Sequence, residues 1–268
     1  MSERIDVVLT QRGLAQSREK ARALVMAGVV YVDGKRVDKA GTGVSEQAAI
    51  EVRENPLPFV SRGGLKLQKA LEVFPIDLTR AYALDVGAST GGFTDCMLQH
   101  GAAHVCAIDV GYGQLDWKLR NDPRVTVMER TNARYMEPVW FSQPADFASI
   151  DVSFISLRLI LSPLLACLAD GGEVVALIKP QFEAGRSQVG KNGVVRDAAV
   201  HAAVCGEIIR FAQSTGYGVA GLSFSPITGP KGNIEFLLYL QKTNAPEQAV
   251  SAEAVERIVQ EAHRATLA

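Results

Sequence analysis

The feature that most constrains this 268-residue chain is a series of five short apolar segments separated by longer stretches with helical periodicity. Apolar runs of this length are typical of strands buried on both faces, and their alternation with helices is typical of parallel sheets. The pattern therefore predicts a doubly wound α/β domain. The five segments are YALDVG (82–87), HVCAIDV (104–110), VTVMER (125–130), FASIDVS (147–153) and GEVVALIKP (172–180).

The end of the chain departs from this alternation. Two apolar runs, 217–227 and 233–242, are separated only by the loop 228–232, which predicts an antiparallel pair of strands. The stretch 251–266 has apolar residues at helical spacing and predicts a helix that packs against the domain. Its apolar face consists of Val255, Ile258, Val259 and Ala262.

The first 55 residues predict a separate small α+β domain. Ser17 is a suitable N-cap for a helix from Arg18 to Met26, with Ala21, Leu24 and Val25 on its apolar side. The segment 29–37 contains the dipeptide Asp-Gly between two β-rich runs, which predicts a hairpin, and 48–54 predicts a further strand. We therefore expect domains at 1–55 and 62–268, joined by a linker at 56–61.

Composition excludes several classes of protein. Four scattered cysteines favour neither a disulfide framework nor a metal cluster, so we expect no metal ion and a cytoplasmic location. The most apolar helical stretch, 157–169, is too short to cross a membrane and contains a proline, and the first residues lack the apolar core of a secretion signal. The net charge is −1, but residues 10–39 hold seven basic and three acidic side chains, which predicts a local basic patch.

A glycine-rich turn follows the first strand of the α/β domain. Residues 85–93 read D-V-G-A-S-T-G-G-F, which matches neither the dinucleotide-binding nor the P-loop pattern and taken alone is equally consistent with a tight connection. The next strand ends at Asp109, whose carboxylate can accept both hydroxyls of an adenosine ribose. Asp85 is placed to approach a cationic part of the same ligand.

This turn together with Asp109 resembles the Rossmann-like class I S-adenosylmethionine methyltransferase fold, a seven-stranded sheet with an antiparallel terminal strand. The resemblance implies S-adenosylmethionine as cofactor. Asn132, after the third strand, is either an adenine contact or a turn-forming residue. The implied cofactor contacts are Asp85, Gly87, Ser89, Thr90, Gly91, Gly92, Phe93, Asp109, Asn132 and Asp151.

Four polar residues stand where strands end or the second domain begins: Lys66, Asp151, Lys179 and Glu235. A lysine that ends a run as apolar as 174–178 needs a partner or a function, because its desolvation is costly. The simpler interpretations are a structural ion pair between Lys179 and Asp151 and an edge-strand charge at Glu235.

These four residues resemble the K-D-K-E tetrad of FtsJ/RrmJ-type RNA 2′-O-methyltransferases. The resemblance implies that Lys179 helps to deprotonate a ribose 2′-hydroxyl, while the other three residues orient it and tune the charge. Methylation at carbon 5 of cytosine fits less well, because it needs a cysteine in the site and Cys167 falls in a helix. Methylation of a base nitrogen usually shows an Asn/Asp-Pro-Pro-aromatic turn, and residues 151–154 read D-V-S-F.

The N-terminal unit resembles an S4 RNA-binding domain through the motifs R-I-D (4–6), G-L-A (13–15), S-R-E-K-A (17–21) and G-V-V-Y-V-D-G-K (28–35). The alternative for its charges is a solvated helix face. The implied RNA contacts are Arg4, Arg18, Lys20, Arg22, Lys35, Arg36 and Arg62.

An S4 domain followed by an FtsJ-like domain is the layout of the TlyA (hemolysin A) family. The resemblance implies cytidine 2′-O-methylation of large-subunit rRNA, and of small-subunit rRNA in longer members, with ribosomal subunits rather than DNA or membranes as partners. Two rival classes remain, a cytolysin and a binding-only protein without catalysis. The oligomeric state, a coupling role of the linker, and the loop 181–196 as a lid or an RNA contact are left open.

Overall fold

The computed structural model describes residues 2–26, 28–45, 47–53, 58–243 and 250–267. The chain divides into two compact units, Met1–Arg62 and Gly63–Ala268. The predicted linker begins within residues 54–57, which lie outside the described part of the chain. Each unit is described separately below.

The first unit is a small α+β fold around a core that includes Ile5, Leu9, Val25 and Val30. The helix predicted from residue 18 has the expected bounds, and the Ser17 hydroxyl accepts a hydrogen bond from the Lys20 amide at 3.2 Å. The predicted hairpin turns at positions 33–34, both with positive φ as a type I′ turn requires. The elements are β1 (Ser2–Arg4), α1 (Ile5–Gln11), α2 (Arg18–Met26), β2 (Val30–Val32), β3 (Lys35–Arg36), β4 (Gly43–Ser45) and β5 (Ile50–Val52), of which β1, α1 and β4 were not predicted.

The second unit contains a sheet of seven strands among the described residues. Its strand order is β11-β12-β10-β9-β6-β7-β8, and β10, β9, β6, β7 and β8 run parallel. The predicted doubly wound α/β fold with a terminal antiparallel strand is confirmed. The strands are β6 (Tyr82–Val86), β7 (His104–Ile108), β8 (Val125–Met128), β9 (Ala145–Ile150), β10 (Leu168–Ile178), β11 (Tyr217–Phe224) and β12 (Phe236–Lys242).

Helices cover both faces of this sheet. Side chains alternate along β6, so that Leu84 packs into the cluster formed with α6, α8 and α9, whereas Asp85 points toward Thr94 of α4. The terminal helix buries Val255, Val259 and Ala262, as its periodicity predicts. The helices are α3 (Gly64–Val73), α4 (Gly92–Gln99), α5 (Trp117–Arg120), α6 (Arg158–Cys167), α7 (Pro180–Glu183), α8 (Ala198–Thr215) and α9 (Ala252–Leu267).

One sequence-based expectation is wrong. The last strand, β12, does not lie at an edge but is inserted between β10 and β11, antiparallel to both. Glu235 is not within this strand either, since it immediately precedes it. The interpretation of Glu235 as an edge-strand charge is therefore wrong, because Glu235 directly precedes an interior strand.

Among the described residues, no helix combines the length and the apolar composition needed to cross a membrane.

Candidate active site

Strand direction brings the four predicted polar residues to one edge of the sheet. Asp151 and Lys179 follow the parallel strands β9 and β10, so both lie at the carboxyl end of the sheet. Because β12 runs in the opposite direction, its beginning lies at this same edge, and Glu235 with it. Lys66 reaches the cluster from the first turn of α3.

The four side chains form a continuous ion cluster, here called the tetrad. The Lys179 Nζ lies 2.5 Å from one oxygen of Asp151, and the Lys66 Nζ lies 3.2 Å from the other. Lys66 also contacts the Glu235 carboxylate at 2.6 Å. Asp151 therefore bridges the two lysines, and the predicted ion pair between Lys179 and Asp151 is one link of a larger cluster.

Three members of the tetrad are nearly closed to solvent, whereas the Asp151 side chain is 18% exposed. Lys66 and Lys179 are 8% and 7% exposed, and Glu235 is 2% exposed. Burial lowers the pKa of Lys66, but the charges of Asp151 and Glu235 outweigh burial and leave that pKa above its usual value. For Asp151, burial raises the pKa, but the two lysines outweigh it and leave the pKa below its usual range. Lys66 and Asp151 are therefore both held in their charged forms.

The segment after Asp151 carries two residues that sequence reasoning did not select. The Lys179 Nζ donates a hydrogen bond to the Ser153 hydroxyl at 3.0 Å, beside its contact with Asp151. Phe154 is 91% exposed and adopts φ +64°, a backbone region that L-residues rarely occupy. Its ring lies 5.0 Å from that of Phe182. An exposed aromatic ring held in strained backbone next to a buried ion cluster is unusual and indicates a functional surface.

The glycine-rich turn between β6 and α4 approaches the tetrad closely. A Cβ at Gly87, where φ is +91°, would stand 2.7 Å from the Asp151 carbonyl oxygen, so only glycine fits there. Ser89 also has positive φ, is exposed, and donates its amide to the Asp109 carboxylate at 2.8 Å. The Gly111 amide binds the other Asp109 oxygen at 2.6 Å. Backbone amides thus fix the carboxylate of Asp109 at the end of β7.

The remaining predicted cofactor residues differ in accessibility. Asp85 is fully buried, where its oxygens accept hydrogen bonds from Thr94 at 2.6 Å and Ser149 at 3.2 Å. Desolvation raises the pKa of Asp85 to about 7. Asn132 is exposed and accepts a hydrogen bond from the Arg134 amide, the turn-forming role that was its alternative interpretation. Thr90 is half-buried, while Gly91, Gly92 and Phe93 belong to the packed start of α4, with Gly91 against Leu115 and Leu119.

This arrangement fits a nucleoside cofactor. Gly87, Ser89 and Gly91 all have positive φ, so the backbone turns sharply just before the first turn of α4. The exposed Ser89 lies next to the half-buried carboxylate of Asp109. A carboxylate at the end of the second parallel strand suits a pair of ribose hydroxyls.

The predicted RNA contacts of the first unit include a second ion cluster. The side chains of Arg4, Arg18 and Arg22 converge on Asp6 at 2.9, 3.4 and 3.1 Å. Asp6 is fully buried, whereas the three arginine side chains remain 51–53% exposed. Sequence reasoning included Asp6 only as part of the R-I-D motif, because the convergence of three arginines on it depends on packing between α1 and α2. The Lys20 ammonium donates a hydrogen bond to the Gln16 side chain. The other predicted RNA contacts are also exposed, and they are Lys20, Lys35, Arg36 and Arg62.

Comparison with known families agrees with this geometry. The family described as FtsJ-like methyltransferase matches residues 59–242, which is more than half of the chain. The chain belongs to the FtsJ-like methyltransferase family. The S4 domain family matches residues 3–50, so the FtsJ-like domain follows an S4 domain.

Similar proteins share both domains of this FtsJ-like chain. The Mycobacterium tuberculosis protein named 16S/23S rRNA (cytidine-2′-O)-methyltransferase TlyA is 46% identical over 98% of this chain and 96% of its own length. YqxC of Bacillus subtilis is 54% identical over 98% of this chain and 94% of its own length. A solved structure from Streptococcus thermophilus has a TM-score of 0.80 and 50% identity, covering 98% of this chain and 96% of that one. The predicted resemblance to the TlyA family is confirmed.

The position of Cys167 in this FtsJ-like domain bears on one alternative chemistry. Cys167 is buried at the end of α6 and directly precedes β10. It therefore lies at the edge of the sheet opposite the tetrad, which is attached to the carboxyl end of the same strand. A thiol in that place is not a nucleophile for methylation at carbon 5 of cytosine.

Proposed function

We propose that this FtsJ-like methyltransferase methylates the ribose 2′-hydroxyl of a cytidine in ribosomal RNA, using S-adenosylmethionine and ribosomal subunits as its substrates. The observation that carries the proposal is the assembly of Lys66, Asp151, Lys179 and Glu235 into one buried cluster at the carboxyl edge of the sheet. The name of the M. tuberculosis relative supports the choice of cytidine and of both subunit RNAs.

The cofactor would be held by the turn from Gly87 to Gly92 and by the carboxylate of Asp109. When bound, S-adenosylmethionine supplies an electrophilic methyl group on a positively charged sulfur. The close approach of Gly87 to the Asp151 carbonyl places this turn directly beside the tetrad. Asp85 would stabilise the turn without contacting the cofactor from an exposed position. It is buried and accepts hydrogen bonds from Thr94 and Ser149, and these connect α4 to β6 and β9.

Lys179 is the residue best placed to accept the proton of the 2′-hydroxyl. A lysine must be neutral to act as a base, and the neutral form of Lys179 loses one ion pair whereas that of Lys66 loses two. The hydrogen bonds to Asp151 and Ser153 fix the direction in which the Lys179 Nζ points. Lys66 holds the other oxygen of Asp151 and is itself paired with Glu235, so that the cluster keeps its geometry while one proton moves.

Phe154 would provide a stacking surface for a base of the RNA. Sequence-specific RNA recognition targets unpaired nucleotides, whose bases stack on aromatic side chains. The exposed ring stands three residues after Asp151, and its neighbour Phe182 stands three residues after Lys179. A base that stacks there lies beside the two residues that handle the 2′-hydroxyl.

The S4 domain would supply affinity for RNA. Half-exposed guanidinium groups on a fixed carboxylate offer several hydrogen-bond donors in planar forks, which suit phosphate oxygens. Arg4, Arg18 and Arg22 form such a set, and the exposed cations at positions 20, 35, 36 and 62 extend it.

The test is transfer of labelled methyl from S-adenosylmethionine to isolated small subunits, large subunits and deproteinised rRNA from a strain that lacks the gene, with the modified nucleoside identified by mass spectrometry. We expect 2′-O-methylcytidine in one or both subunits. A base-methylated nucleoside would overturn the role of the tetrad. If RNA binds but no substrate accepts methyl, the binding-only interpretation replaces the proposal.

A further inference from the structure

A carboxylate outside the tetrad joins the two segments that carry Asp151 and Lys179. Glu183, at the end of α7, accepts a hydrogen bond from the Leu157 amide at 2.7 Å and one from the Ser156 hydroxyl at 2.6 Å. Both donors belong to the loop between β9 and α6, the same loop that begins with Asp151. Glu183 itself comes four residues after Lys179.

These contacts close the two loops into one unit. At one end, Lys179 contacts Asp151 and Ser153. At the other end, Glu183 binds Ser156 and Leu157. The residues between the two connections include Phe154, whose backbone is strained at φ +64°. A strained conformation persists only where its surroundings impose it, and here the segment is held on both sides.

The chemistry of the second connection favours a carboxylate. Leu157 is the N-cap of α6, at the end of the helix where backbone N–H groups lack helical partners and favour a negative charge. Burial raises the pKa of Glu183 from its usual value, while the hydrogen bonds from Ser156 and Leu157 oppose that change. The connection thus depends on polar contacts, which are directional and set distance and angle more narrowly than apolar packing does.

We infer that Glu183 is a positioning residue for methyl transfer, which holds the Asp151–Phe154 segment in register with Lys179. The inference rests on the proposed function, because it concerns the rate of that reaction. Glu183 contacts Ser156 and Leu157 rather than the tetrad itself, so it acts through the loop.

The experiment compares Glu183→Ala, Glu183→Gln and a matched control, Glu207→Ala, in single-turnover and steady-state methyl transfer. Glu207 also bonds to the beginning of α6, through Arg158 at 2.8 Å, but it is exposed and lies on α8. We expect Glu183→Ala to lower kcat roughly 10- to 100-fold, the effect of misplacing reacting groups by about an ångström. The KM for S-adenosylmethionine should change little, because the cofactor would be held by the turn from Gly87 to Gly92 and by Asp109, which Glu183 does not contact.

Glu183→Gln should recover most of the lost rate. Its carbonyl oxygen can accept from the Leu157 amide, and its amide can donate to the Ser156 hydroxyl. Glu207→Ala should match the wild type in kcat and KM. A wild-type kcat in Glu183→Ala would overturn the inference. So would a loss of activity that parallels a loss of cofactor affinity and of thermal stability, because that pattern marks general unfolding.

If Glu183→Ala does not fold, Ser156→Ala removes one of the two hydrogen bonds to Glu183 and should lower kcat by a smaller factor, with the KM for S-adenosylmethionine unchanged. An unchanged kcat in that variant would contradict the inference. The wild-type measurement separates this test from that of the proposed function. An inactive wild type refutes methyl transfer itself, whereas an active wild type with an equally active Glu183→Ala refutes only the positioning role.

Discussion

The two domains use the same device, an aspartate paired with several cations, with opposite exposure of the cations. In the S4 domain, Asp6 is fully buried while its arginine partners are 51–53% exposed. In the FtsJ-like domain, Asp151 bridges Lys66 and Lys179, whose side chains are only 10% and 8% exposed. The cations paired with Asp6 are therefore accessible to solvent, whereas those paired with Asp151 are mostly buried.

The difference in charge balance follows the difference in exposure. Three cations against one anion leave the S4 cluster positive, and half-exposed guanidinium groups can pair with a polyanion. With both lysines and both carboxylates charged, the tetrad has no net charge, which limits the cost of burying it. The exposed cluster therefore suits binding, and the buried cluster suits proton transfer. Each prediction below tests one side of this contrast.

The largest effect is expected from Lys179→Ala. Loss of the base should lower methyl transfer by roughly 10²- to 10⁴-fold, the usual contribution of a general base, while the affinity for RNA stays near that of the wild type. The measurement is single-turnover methyl transfer together with equilibrium RNA binding. Lys242→Ala is the matched control, because Lys242 is a partly buried, ion-paired lysine at the opposite edge of the same sheet. Full activity in Lys179→Ala would contradict the assignment.

Asp6→Asn should have the opposite effect to Lys179→Ala, because it should lower the affinity for RNA more than the rate of methyl transfer. Hydrogen bonds from Arg4, together with those from Arg22 and Arg18, outweigh the effect of burial and leave the pKa of Asp6 well below its usual range. Its contribution to stability is therefore complete above the usual aspartate pKa near 4 and is lost as the pH falls below that value. We expect a stability loss of about 1–3 kcal/mol at pH 7 and an affinity for RNA lower by roughly tenfold.

The checks for Asp6→Asn are thermal unfolding at pH 7 and pH 3, RNA binding, and methyl transfer at saturating RNA. The stability difference between variant and wild type should shrink at the lower pH. A variant that binds RNA normally but transfers methyl slowly would break the division between a binding cluster and a chemical cluster.

Much of the tetrad was predictable from the sequence, because parallel topology carries the ends of neighbouring strands to one edge. Asp151 and Lys179 each follow an apolar run, so the parallel arrangement of β9 and β10 is enough to predict that they lie close together. In the structure they are 2.5 Å apart. The contact of Lys66 with Glu235 could not be derived in this way. It depends on β12 entering the sheet between β10 and β11, which no local pattern in the sequence specifies.

The residues that sequence reasoning missed lie in loops or depend on burial. Phe154 and Glu183 stand in segments without periodicity. A positive φ can be predicted from sequence where glycine occurs, but not at a phenylalanine such as Phe154. Asp6 is only an acidic residue of the R-I-D motif in the sequence, whereas in the structure Arg4 and two arginines of α2 converge on it. Long-range packing decides these features, and composition and spacing do not record it.

Asp85 sharpens the comparison, because it is a buried aspartate held by hydroxyl groups instead of cations. Desolvation raises its pKa to about 7, the opposite direction to Asp6 and Asp151. The unfolded chain releases this proton near pH 4 and the folded chain near pH 7, so folding stability falls as the pH rises between these values. Asp85→Asn should remove this loss of stability. Its free energy of unfolding should exceed that of the wild type by up to about 4 kcal/mol at pH 8 and by little below pH 4.

The measurement for Asp85→Asn is chemical denaturation across that pH range, with binding of S-adenosylhomocysteine measured in parallel. The amide can still accept from Thr94 and donate to Ser149, so the local structure should persist. A stability difference independent of pH would show that Asp85 ionises normally. Weaker cofactor binding in a more stable variant would support a role of Asp85 in holding the cofactor.

The smallest effect is expected from Arg18→Ala, which removes one exposed cation and leaves the buried aspartate paired. Arg18 makes the longest contact with Asp6, 3.4 Å, so its loss disturbs the cluster least. If the guanidinium binds a phosphate, the slope of log affinity for RNA against log salt should fall by roughly 0.7 to 0.9, with affinity lower by a few fold at physiological salt. Arg124→Ala is the matched control, because Arg124 is 49% exposed and paired to Asp122 in the other domain. An unchanged slope in Arg18→Ala, or an equal change in the control, would mean that exposure of the S4 arginines does not mark the RNA surface. The contrast between the two clusters would then rest on the tetrad alone.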